Sequence, residues 1–187
     1  MPLIPRAGGR TPRRGRRRPC PAPEPLWGPK PSPTPTGTLV AAAESITGSS
    51  PLADADRAQA DWLLAHIALS DRALIDAARQ VLVGHSAWID NARAMSKSEI
   101  AKVLSATRHT ERVDMVRRTA RELLAVLDCT SDTAAEVTVR ARLAGRNGAV
   151  VLDSDLPWGE VIRLRATEHI PGHAASLAAW ASPTSAA

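Results

Sequence analysis

The sequence predicts a mainly α-helical fold with a small C-terminal antiparallel β element, behind a disordered N-terminal arm. Three observations lead there. Apolar residues recur at three- and four-residue spacing from Pro51 to Asp128, the signature of helices with one buried face. The period falls to two at Val137, Val139, Ala141 and Leu143, which alternate with Thr138, Arg140 and Arg142 as in a half-buried strand. Residues 1–37 hold eleven of the fifteen prolines and only one acid, Glu24, too little apolar material to support packed structure. The chain divides on this basis into an arm (1–37), a helical domain (51–128) and a β-containing segment with a terminal helix (135–182).

In the helical domain, Trp62, Leu63 and Ile67 and then Leu74, Ala78, Val81 and Leu82 mark buried faces. Ser70-Asp71 reads as a helix start, with a capping hydroxyl and an acid in the first turn. Gly84 reads as a stop, and Ser86 as the cap of a further helix through Trp88, Ile89 and Ala92. Ser96 and Glu99 have capping-box spacing. Val113, Val116, Ala120, Leu123, Leu124 and Leu127 form one stripe on a long helix. Farther on, Asn147-Gly148 predicts a type I′ turn returning through Val150–Leu152. Ile162, Leu164 and Ala166 suit a strand or a helix equally, and Leu177 and Trp180 suggest a terminal helix.

Two isolated cysteines, Cys20 and Cys129, supply neither a disulfide framework nor a CxxC metal motif. No apolar run approaches the roughly 20 residues that a membrane helix needs. The paired arginines at 13–18 are followed by Pro19-Cys20-Pro21 where an export signal would place an apolar stretch. These features predict a cytoplasmic protein.

Charge is distributed regionally. Residues 93–121 carry eight basic side chains against three acids, whereas 38–187 as a whole carry 16 against 18. A basic island in an acidic body points to an anionic partner more specifically than a high isoelectric point does. Within the island, residues 96–113 resemble bacterial helix-turn-helix DNA-binding regulators, whose common pattern is Ser-x-x-Glu-Ile-Ala-x-x-Leu-Gly-Val-Ser-Arg-x-Thr-Val. Ser96, Glu99, Ile100, Ala101, Leu104, Arg108 and Thr110 match, and Thr107 replaces a serine. Ser105 stands at the turn glycine and Glu111 at an apolar position.

The resemblance implies a helix-turn-helix-type core over 96–127, with a turn at Ser105–Ala106 and a recognition helix starting near Thr107. It also implies a small, non-enzymatic transcriptional regulator bound to double-stranded DNA. Thr107 and Arg108 would face base edges, Arg108 as a bidentate partner of guanine. Ser96, Lys97, Lys102, Arg112 and Arg118 would hold the backbone. The 135–152 segment would fit a wing, and equally a dimerisation element of a homodimer or a ligand-sensing element. The alternative is a protein-interaction domain whose basic helix meets an acidic partner.

A third reading is a serine hydrolase. Gly84-His85-Ser86-Ala87-Trp88 resembles the α/β-hydrolase nucleophile elbow, with Asp153 and His169 following in the family's order. Trp88 replaces the second glycine, however, and no Gly-rich oxyanion loop precedes it. His169 and His173 offer metal ligands, but the intervening Pro171 is expected to keep them off a common helical face. No metal or other cofactor is therefore expected.

Overall fold

The computed structural model describes residues 34–46 and 52–182. The expected arm falls outside these residues apart from its last four positions, where the expectation fails. Helix α1 (Pro35–Ser45) begins inside it, with Pro35 in the first turn and the Thr34 hydroxyl accepting from the Gly37 amide at 3.1 Å.

Helix α2 (Asp54–Leu82) is a single element of 29 residues, roughly 43 Å long at 1.5 Å per residue. Ser70 and Asp71 therefore start no helix. Asp71 is 1% exposed at the middle of α2, where its carboxylate accepts from Arg165 at 2.6 and 2.8 Å. A buried ion pair from 94 residues away overrides the local capping signal.

The segment expected to form a helix through Trp88 and Ile89 is instead strand β1 (Trp88–Asp90), with Ile89 inward between two exposed neighbours. Its backbone is satisfied by parallel pairing to a strand about fifty residues downstream, Ile89 opposite Ala141. The Asp90 carboxylate then accepts from the Ala92 amide at 2.6 Å and starts the short helix α3 (Ala92–Met95).

Helices α4 (Lys97–Ala106) and α5 (His109–Leu127) follow. On α5, Val113, Val116, Ala120 and Leu123 face inward as the stripe predicts, but Leu124 is 53% exposed. A short helix α6 (Asp132–Ala135) leads into the antiparallel strands β2 (Thr138–Ala144) and β3 (Val150–Pro157), completing a sheet of order β1-β2-β3. Val139 and Ala141 are buried while Thr138, Arg140 and Arg142 are exposed, as period two requires.

The hairpin turn departs from type I′. That geometry needs positive φ at both central residues, and among the described residues only Gly84 and Gly148 have positive φ. Gly145 accepts from Gly148 at 2.9 Å, Gly148 has φ +80, and Gly145 donates to Ala149 at 2.8 Å. The loop is thus Arg146-Asn147-Gly148 with its last residue left-handed, one residue longer than predicted.

The ambiguous stretch after β3 is helical: α7 (Trp158–Leu164), a π-turn (Arg165–His169) and α8 (Ile170–Ala181) run on as one helix. At the π-turn the Ile170 amide donates to Arg165, five residues back. This widened turn sits where Pro171 offers no N–H and its ring would press on the preceding carbonyls.

Two clusters form the core, and α2 runs through both. Leu39, Ala43, Leu64, Ile67, Val116 and Leu177 join α1, α2, α5 and α8. Ile75, Val81, Ile89, Leu123, Val139 and Trp158 join α2, α5, α7 and the sheet. Helices α2 and α5 are parallel, since Asp61 meets His109, Asp71 meets Thr119 and Arg79 meets Glu122.

Candidate functional site

Between α2, the sheet and the α7–α8 helix lies a cavity of about 580 Å³. One face of α2 contributes Trp62, His66, Ser70 and Ala73, at spacings of four, four and three. The inward side chains of the sheet add Ile89, Leu143, Leu152 and Leu156, and the opposing helix adds Val161 and Leu164. The walls are therefore largely hydrocarbon.

Three histidines stand in this wall. His169 Nε2 lies 3.4 Å from His66 Nε2 and 3.0 Å from His173 Nε2. The rings meet edge-on at 75–79°, with centroids 4.5–5.6 Å apart. The expectation that Pro171 separates the histidines fails, because the helix passes through it on the π-turn. His66 lies a hundred residues away and shares no motif with them; only its helical spacing from Trp62 and Ser70 hinted at a common face.

Electrostatics keep the three rings uncharged. Burial, reinforced by His173 and His66, pushes the His169 pKa down to about 3. Burial and the neighbouring His66 and Arg146 push His173 to about 4. Burial lowers His66 as well, although the Ala94 carbonyl opposes the shift. That carbonyl can only accept, so the 3.0 Å contact makes Nδ1 of His66 the N–H donor and leaves its Nε2 lone pair toward the other two rings. Trp62 stacks on His66, with centroids at 5.2 Å and planes within 11°, and the Arg146 guanidinium covers Trp62 at 3.8 Å. Arg146 also donates to Gln59 at 2.7 Å, tying the hairpin loop to α2.

The residues expected to contact DNA are dispersed. Arg112 is 5% exposed and binds Asp61 at 2.9 and 3.2 Å, the Thr107 hydroxyl at 3.1 Å and the Thr107 carbonyl. It is a clamp on the α4–α5 connection and cannot reach phosphate. Thr107 is half-buried, its hydroxyl donating to Val103 at 2.6 Å. Lys97, Lys102, Arg108 and Arg118 are exposed, with Lys102 paired to Glu99 at 2.5 Å and Arg108 to Glu111 at 3.2 Å. Ser96 accepts from the Glu99 amide at 3.4 Å, but Glu99 turns to Arg93 and Lys102 instead of closing the capping box.

The connection itself differs from the family turn. Helix α4 continues through Ser105 and Ala106, the break falls at Thr107 and Arg108, and α5 starts at His109. Both break residues are extended, at φ −141 and −87, so no position needs the positive φ that a glycine would permit. Glu111 has its own local task, accepting the Arg108 amide at 2.6 Å.

The hydrolase constellation does not assemble. Ser86 is exposed between a helix and a strand, Asp153 pairs with Arg140 at 2.7 Å, and His169 belongs to the histidine cluster. Among the described residues no helix is long and apolar enough to cross a membrane. Comparison with protein-family models, with curated proteins and with solved structures finds no match to this chain.

Proposed function

We propose that the protein binds a small, largely apolar molecule in the cavity between α2, the sheet and the α7–α8 helix. The observation that carries this reading is the cavity's size and lining. About 580 Å³ walled by Leu74, Ile89, Leu143, Leu152, Leu156 and Leu164 lies within the range of small-molecule sites. Much of the polar lining is already engaged: Asn91 exchanges two hydrogen bonds with Ala144, and Arg165 is held by Asp71. A fluorescent naphthalene probe tests the reading. It should bind the full chain saturably, and Leu152→Trp and Leu143→Trp, which fill the cavity, should each weaken binding at least tenfold. Unchanged binding in both variants would place the probe elsewhere and remove the proposal's support.

A second reading, a DNA-binding regulator using α4 and α5, is favoured by one observation. The chain breaks cleanly at Thr107–Arg108 and leaves Lys97, Arg108 and Arg118 exposed around the break. Arg108→Ala should then cost about 1–3 kcal/mol on a preferred duplex and much less on random duplex. Lys97→Ala should weaken both alike. Equal losses on the two duplexes for Arg108→Ala would rule out base reading by that residue.

A further inference from the structure

We infer that His66, His169 and His173 form a binding site for a divalent transition metal of the zinc class, with a fourth coordination position open to the cavity. The inference rests on the cavity reading only for what occupies that fourth position. Geometry comes first. A tetrahedral zinc centre with Zn–N bonds of about 2.0–2.1 Å places its nitrogen ligands roughly 3.3–3.4 Å apart. The Nε2 atoms lie 3.4 and 3.0 Å apart across the two measured pairs, and all three donors fall within 4.8 Å of one another. Edge-on rings direct their lone pairs toward a shared point, whereas stacked rings would not.

Orientation is the second argument. A metal-binding histidine ordinarily donates its other ring N–H to a carbonyl or carboxylate, which fixes the tautomer and raises ligand basicity. His66 has this arrangement through Ala94 at 3.0 Å, and Trp62 stacking braces the same ring. The ligands come from two packed helices rather than from mobile loops.

Chemistry selects the metal class. Three neutral imidazoles without thiolate or carboxylate suit zinc, cobalt, nickel or copper, and disfavour magnesium and calcium, which require oxygen ligands. Three protein ligands rather than four is the arrangement of an open site, whose remaining position takes water or an exogenous donor. All three histidines line the cavity. The occupant this predicts has an oxygen or nitrogen donor at one end and a hydrocarbon body against Leu143, Leu152 and Leu156.

The test uses the untagged full chain, stripped with chelator and titrated with Zn(II) against a chromophoric competitor. One equivalent should bind, and Co(II) in its place should give the intense visible bands of a four-coordinate tetrahedral centre. His173→Gln and His169→Ala should each weaken Zn(II) at least about a hundredfold, comparable to or beyond the loss seen on disturbing a supporting residue. Circular dichroism establishes that each variant is folded. Should neither fold, the wild-type cobalt spectrum and stoichiometry decide. Absence of saturable binding, or binding unchanged in both folded variants, would overturn the site and leave a hydrogen-bonded histidine trio. Octanohydroxamate separates the two proposals. A shift of the cobalt bands supports the open position facing the cavity. Naphthalene binding without metal binding would sink the metal site alone, and metal binding with no response to either probe would sink the cavity reading alone.

Discussion

Arg112→Met offers the sharpest test of how the α4–α5 connection is held. The guanidinium is nearly buried and holds both oxygens of Asp61, the Thr107 hydroxyl and carbonyl, and more distantly the Leu104 carbonyl at 3.4 Å. Methionine keeps most of the apolar stem, so the loss reports the charge and its hydrogen bonds. Removing one partner of a buried pair costs about 3–5 kcal/mol. Asp61 retains His109 at 2.7 Å and 17% of its side-chain surface remains accessible, so the lower end applies, about 3 kcal/mol. For a domain of this size each kcal/mol moves Tm by roughly 2–4 °C, giving a fall of about 6–12 °C. Urea unfolding followed by circular dichroism measures the same quantity as a lower midpoint at constant slope. A loss below about 1 kcal/mol would mean that water already screens the pair, and Arg112 would return to the surface residues available for phosphate.

The other expectations concern ionic groups along α2. Arg165→Met strands the Asp71 carboxylate with only the Thr119 hydroxyl at 3.4 Å, and should cost about 3–5 kcal/mol, most of it recovered in the Asp71→Leu, Arg165→Met double variant; additive losses in a double-mutant cycle would refute the coupling. His109 is raised above its ordinary value by its hydrogen bond to Asp61, against the opposing effects of burial and Arg112. Its charged form therefore adds stability that is complete below pH 6.5 and disappears as pH rises through the folded-state value. Burial pushes the Asp61 carboxyl up, but hydrogen bonds from His109 and Arg112 outweigh it and hold the group below its usual range, so its contribution fades only in acid. His109→Gln should accordingly be more damaging in melts at pH 6 than at pH 9, and an equal cost at both would contradict the assignment.

What the sequence made legible was local. The alternation through Val139 and Ala141, and the inward stripe of Val113, Val116, Ala120 and Leu123, need only each residue's immediate neighbours, and the structure has them. Failures occur where a distant partner decides. Asp71 looks like a cap until Arg165 arrives from the far end of the chain, and Ile89 looks helical until β2 supplies a strand to pair with. Arg112 and Arg118 are indistinguishable as letters, and only the position of α2 buries one and exposes the other. The candidate site suffered most, because its three histidines lie on two elements and one segment contains a proline that argues against any shared face. A π-turn has no compositional signal strong enough to correct that inference.

That turn has a consequence for how the last helix tolerates change in length. A π-turn holds one residue more than the α-helical repeat, so the helix before Arg165 and the helix after His169 run out of phase by one residue. Each residue step is about 100° of rotation. Trp158 faces the core cluster beside the sheet while Ile170, Ala174 and Leu177 face the cluster beside α1, and the offset lets one helix serve both. Excising the codon for Ala166 would keep the reading frame, remove no charge and no buried group larger than a methyl, and favour the commoner helical geometry locally. It would also turn everything downstream by more than a quarter of a revolution, swinging Leu177 out of its packing and His169 and His173 away from α2. For this segment, spacing is a stricter constraint than composition.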